Sequence, residues 1–148
     1  MTAPLGVADL AYLAGIIDTH AVIRTRETGD GTVLPMVAVH GPHVQMMRYL
    51  AAVTGTKVTV TRRGYSRAGC TEHCPDKHQH VVSESGRWSV AGAKATVLLA
   101  AVRPFLRLQG YVADQALDVG LRAPRKDATA GKLAELGWPV PDGWLHAA

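Results

Sequence analysis

The sequence predicts an α+β domain in which two β-hairpins alternate with helices and two further helices follow, in the order α-ββ-α-ββ-α-α. Three observations predict it. Apolar helical stretches recur at separated places, alternating β-rich segments lie between them, and Gly- or Pro-bearing turns divide the two kinds. The 148 residues are 47% apolar and 19% charged. That length can bury one core, and the composition is too apolar for a disordered chain. No uncharged apolar run approaches the roughly 18 residues of a membrane span. The first 23 residues hold no Lys or Arg, so a secretory n-region is missing and an intracellular, cytoplasmic protein is expected.

Asp9 to about Ile17 is apolar on nearly every side, which predicts a helix buried all round, with Ala11 and Gly15 forming a smooth face. From His20 to Arg26 the residues alternate, with His20, Val22, Arg24 and Arg26 on one side and Ala21, Ile23 and Thr25 on the other. Gly29-Asp30-Gly31 turns this strand into a second, Val33 to Val39. Gly41-Pro42 opens a helix from Val44 to about Val53, and Thr54-Gly55 closes it. Lys57 to Tyr65 reads as a strand. Gly69 to His80 is irregular, and Val81, Val82 and Trp88 to Val90 read as strand around a Ser85-Gly86 turn. Ala93 to Val102 is an apolar helix, Pro104 breaks it, and Phe105 to Leu121 continues helically. Residues 1–122 then form the domain, with an insertion at about 69–81. Residues 123–148 form a short helical extension, with Asp127 as N-cap and Gly137 to Pro141 as a stop.

The net charge of +4 is unevenly placed. Gly31 to Thr71 contains no acid but holds Arg48, Lys57, Arg62, Arg63 and Arg67. Ser85 to Ala113 contains none but holds Arg87, Lys94, Arg103 and Arg107. Acid-free windows of this size form an electrostatic footprint for a polyanion. Arg outnumbers Lys 11 to 5, which suits bidentate recognition of phosphate or guanine edges.

The stretch Leu10-Ala11-Tyr12-Leu13-Ala14-Gly15-Ile16-Ile17-Asp18-Thr19-His20-Ala21 resembles the signature of the LAGLIDADG homing endonucleases. The segment Pro104-Phe105-Leu106-Arg107-Leu108-Gln109, followed by Ala113, Ala116 and Leu117, resembles that family's junction between its last two helices. The element order is similar to the family's αββαββα domain, and the likeness covers roughly residues 8 to 121. The signature occurs once, as in the single-motif, homodimeric type. The resemblance implies a saddle-shaped antiparallel sheet over double-stranded DNA. It also implies a dimer interface at Ala11, Ala14, Gly15 and Asp18, where two signature helices pack through small residues. The family places a metal-binding acid at the end of that helix, beneath the scissile phosphate.

Here that acid falls on His20, flanked by Thr19 and Ala21, and the family's basic residue after the junction aligns with Gln109. Neutral imidazole is a poor magnesium ligand. Asp18, His20 and Gln109 therefore form a degenerate catalytic set, and magnesium is expected only if cleavage survives. Asp18 has a second reading, as a helix-end residue satisfied by backbone or by the partner helix.

Cys70, Cys74, His78 and His80, with His73 as an alternative, crowd potential ligands into eleven residues. Two thiolates and two imidazoles suit tetrahedral zinc in a structural role. Free thiols and a Cys70–Cys74 disulfide are the other readings of the same spacing. For DNA contacts the strands offer Arg24, Arg26, Arg62, Arg63, Tyr65, Arg67 and Arg87. Because Arg62 and Arg63 are adjacent, one of them must point away or sit at a bulge. The opposing reading is a charged edge strand that merely resists aggregation. The leading expectation is a homodimeric, zinc-stapled DNA-binding protein without nuclease activity and with a regulatory role. An active metal-dependent homing endonuclease is the alternative, and a zinc-stabilised protein-interaction module is a third.

Overall fold

The computed structural model describes residues 5–65 and 81–122, with positions 131, 134 and 135 beyond them. Its elements are α1 (Val7–His20), β1 (Ala21–Glu27), β2 (Val33–Gly41), α2 (Val44–Thr54), β3 (Val58–Tyr65), β4 (Val81–Ala91), α3 (Ala93–Val102), a 3₁₀ turn (Arg103–Phe105) and α4 (Gly110–Arg122). The strands form one antiparallel sheet in the order β1-β2-β4-β3, so the two hairpins join along β2 and β4. The α+β class and the order of elements are those expected. Asp127 and the stop at Gly137 to Pro141 lie outside the described residues. Among the described residues no helix is long and apolar enough to cross a membrane.

The helices cover one face of the sheet, and Ile23, Val37, Val39, Trp88 and Val90 meet α1, α2 and α3 there. Trp88 is fully buried, and its indole N–H donates to Thr56 Oγ1 at 2.9 Å. The Thr56 hydroxyl lies 2.7 Å from Thr54 Oγ1, which donates to the Leu50 carbonyl at 2.6 Å. The largest core side chain thus has its one polar atom satisfied by a chain of hydroxyls that ends on α2.

Three local expectations need correction. The pair Ser85-Gly86 is not a turn but the middle of the continuous strand β4. A Cβ on Gly86 would lie 2.7 Å from Met47 Sδ and 3.5 Å from Val44 Cγ2, so glycine here lets α2 lie close to the sheet. The chain from Phe105 to Leu121 is not one helix. Pro104 sits in a 3₁₀ turn, Leu106 is extended, and α4 begins only at Gly110. Finally, α1 is half covered rather than buried all round. Leu13, Ala14, Ile16 and Ile17 face the core, whereas Val7, Ala8, Ala11, Tyr12, Gly15 and Thr19 are exposed. Within the chain α1 packs mainly against α3, the 3₁₀ turn and β1, and Tyr12 meets the Tyr49 ring of α2 edge-on at 5.3 Å.

Candidate nucleic-acid interface

At the C-terminal end of α1, Asp18 reaches across to the segment between the 3₁₀ turn and α4. Its Oδ2 accepts from the Arg107 backbone N–H at 2.6 Å, and its Oδ1 accepts from Leu108 at 3.2 Å and Gln109 at 2.9 Å. Burial pushes the Asp18 carboxyl up, but the three N–H donors and the Arg107 charge together outweigh it. They hold the group below its ordinary value of 3.8. Gln109 returns the contact. Its Nε2 donates to the carbonyls of Ile17 at 2.7 Å, Asp18 at 3.3 Å and Ala21 at 2.9 Å. Asp18 lies in the last turn of α1, whose final carbonyls are short of intrahelical partners, while Ile17 also accepts the Ala21 N–H and Ala21 opens β1. Asp18 and Gln109 therefore act as a reciprocal clamp.

Next to the clamp, His20 and His43 are both exposed, with ring centroids 4.9 Å apart and a 55° tilt. His43 is the N-cap of α2. The hard-cation site implied by the resemblance does not fit this arrangement. Both Asp18 oxygens already accept backbone N–H groups, and the neighbouring donors are imidazoles, which suit magnesium poorly. Among the described residues no group of three ligating side chains comes together.

The second region is the sheet face turned away from the core. Residues opposite one another in an antiparallel ladder share a face. Arg24 lies opposite Met36 and Arg26 opposite Leu34. His40 lies opposite Arg87, Arg87 opposite Thr59, and Arg63 opposite Ser83. This register gathers Arg24, Arg26, Arg63 and Arg87 on one face, all exposed, with His40 among them. Arg24 leans over its neighbour, with Nη2 3.8 Å from Met36 Sδ, and Met36 is buried although it belongs to the open face. Both acids on the described strands, Glu27 and Glu84, fall on the opposite parity.

Arg62 belongs to that opposite parity too, so it is the arginine that points away. Its Nε pairs with Glu84 Oε1 at 2.7 Å. Other basic residues of the acid-free windows are also engaged within the chain. Lys94 donates to the Thr54 and Gly55 carbonyls that end α2, and Arg103 grips Asp114 through two bonds of 2.6 and 2.8 Å. Ala14 is fully buried and so lies inward of the exposed strip that carries Ala11 and Gly15. Arg67, Cys70, His73, Cys74, His78 and His80 lie outside the described residues, as does the Tyr65 side chain. His43 is not among the site residues that the sequence points to. Its only sequence signal was the His40-x₂-His43 spacing, which reads as a strand end and a helix start.

No protein-family model matches the chain, and no curated protein matches it. Solved structures do. The homing endonuclease I-CvuI, in complex with its target in the presence of calcium, has a TM-score of 0.54 and 17% identity over 88% of this chain and 78% of that one. A second structure of the same enzyme, with the I-CreI target uncleaved in the presence of magnesium, has a TM-score of 0.51 and 16% identity over 92% and 83%. The chain therefore has the fold of a homing endonuclease. At this level of identity the likeness is one of fold.

Proposed function

We propose that the protein binds double-stranded DNA as a homodimer and does not cleave it. The observation that carries this reading is the open sheet face, where four exposed arginines stand without an acid among the described strand residues. Guanidinium groups there suit phosphate oxygens and the O6/N7 edge of guanine. The DNA-bound neighbours support a duplex as the polyanion. Dimerisation is supported by the exposed strip of α1, where a Cβ added to Gly15 would meet nothing within 4 Å. Loss of cleavage is supported by the closed clamp at Asp18 and Gln109 and by imidazole at His20. A regulatory role would follow from binding without cutting.

Zinc belongs to the same reading, held by Cys70, Cys74, His78 and His80, with His73 as the spare. The support comes from the ladder on either side, because Tyr65 pairs with Val81 and so the two ends of this connection are held together. Metal analysis of protein purified without a His-tag should find about one zinc per chain, lost in Cys74→Ser.

The decisive experiment selects duplexes from a random pool and then incubates the selected site with the protein and Mg²⁺ or Mn²⁺. Salt-dependent binding to a palindromic site, with no strand breakage, is the expected result. Metal-dependent double-strand cutting would instead establish an active endonuclease, and absence of duplex binding would leave a protein-interaction module. In parallel, sedimentation should show a dimer that Gly15→Leu converts to monomer.

A further inference from the structure

We propose that His20 and His43 form a two-imidazole site for a borderline divalent cation of the zinc, nickel or copper type. The inference does not rest on the DNA-binding reading, because it concerns the pair of rings alone. An ion held by two ring nitrogens at about 2.0–2.1 Å, with a near-tetrahedral angle between them, puts the ring centroids about 5 Å apart. The observed separation is 4.9 Å. The 55° tilt is neither an offset stack nor a T-shaped contact, the two arrangements that ring–ring attraction favours. Both rings are exposed, so a bound ion would keep open positions for water or a third ligand.

The backbones that carry the two rings are fixed. Gln109 Nε2 bonds the Asp18 and Ala21 carbonyls, which bracket His20 on either side. His43 is held at the start of α2, where Met47 N–H donates to its carbonyl at 3.1 Å and Val44 N–H donates to Pro42 at 2.9 Å. Two ligands fixed in this way make the second coordination step intramolecular, which raises affinity well above that of one imidazole. The end of α1 favours a cation and the start of α2 disfavours one, so ligand chemistry rather than helix dipoles decides the ion. Imidazole selects zinc, nickel or copper over magnesium. The Asp18 carboxylate, committed to the Arg107, Leu108 and Gln109 N–H groups, does not convert the pair into a hard site.

The test uses the full chain loaded with one equivalent of zinc, which a thiolate-bearing site takes ahead of an imidazole pair. Paramagnetic Ni²⁺ is then titrated in while the histidine ring protons are followed by NMR. The ring signals of His20 and His43 should broaden together at substoichiometric ion, before those of His40, and Mg²⁺ should leave them unchanged. In His43→Gln, broadening of the His20 ring should need at least about tenfold more Ni²⁺, because the chelate is gone. His20→Gln should do the same to His43. Both side chains are exposed, so the variants should fold, which circular dichroism checks. If His20 responds to Ni²⁺ equally with and without His43, or no sooner than His40 does, the site does not exist.

Discussion

The end of α1 and the open face of the sheet are separated by only a few residues of chain, yet they treat their polar groups in opposite ways. At the end of α1 the donors and acceptors are turned on each other. Asp18 takes three backbone N–H groups and Gln109 takes three carbonyls. On the sheet, Arg24, Arg26, Arg63 and Arg87 stand exposed on an acid-free face. A group satisfied inside the chain sets shape, whereas an exposed cluster of like charge costs self-repulsion and is explained by something outside the chain. The contrast also separates kinds of basic residue. Lys94 and Arg103 belong with the first region, although both lie in the acid-free window that reads as a footprint for a polyanion.

The largest expected effect breaks the open face. Replacing Arg24, Arg26 and Arg63 together by Ala should weaken duplex binding by about a hundredfold at physiological salt and flatten the salt slope by about three units. Filter binding over a range of salt reads both, and the thermal midpoint should hardly move. Next comes Asp18→Asn, which replaces a charged acceptor of three N–H groups by an amide that also bears donors. It should cost about 1–2 kcal/mol in a denaturant titration.

The sign of the pH dependence follows from the lowered Asp18 carboxyl. On acidification the unfolded chain takes up this proton before the folded one does. The stabilisation is therefore complete above the unfolded value of 3.8 and is lost as pH falls through the folded one. Wild type and Asp18→Asn should converge there. Asp30, held down to about 2 chiefly by the Thr28 hydroxyl, with help from Thr32, is present in both proteins and cancels. Gln109→Ala removes a neutral donor and should cost about 1 kcal/mol by the same measurement. The smallest effect sharpens the comparison from the other side. Arg62→Ala, which leaves the open face intact and breaks only an exposed ion pair, should change stability by under about 1 kcal/mol and binding hardly at all.

Much of this was legible in the sequence, for identifiable reasons. Alternation placed Arg24 and Arg26 together, because a strand's period of two is visible without tertiary information. The same rule required Arg62 and Arg63 to part, but only the β3–β4 register, with Glu84 beneath Arg62, decides which one leaves the open face. Gly86 misled because glycine marks both a turn and a close approach, and the helix that approaches it is distant in sequence. The second reading of Asp18, as a helix-end residue met by backbone, describes its bonds. Its partners were not legible, since nothing local announces that residues 107–109 would supply them. His43 was hidden for the same reason, because its neighbour His20 belongs to another element.

The clamp between Asp18 and Gln109 joins residues 91 positions apart. A ribosome adding about 5–20 residues each second therefore finishes α1 several seconds before its lock can emerge. Until residue 109 appears, the end of α1 lacks the partners that fix it, and with it the backbone beneath His20. Helix α1, which precedes the other described elements, is thus among the last of them to have its end set, and any copy-to-copy contact through its exposed strip should mature late. A chain stopped before the Arg107–Gln109 segment would keep every residue of the open sheet face yet lose the fixed end of α1.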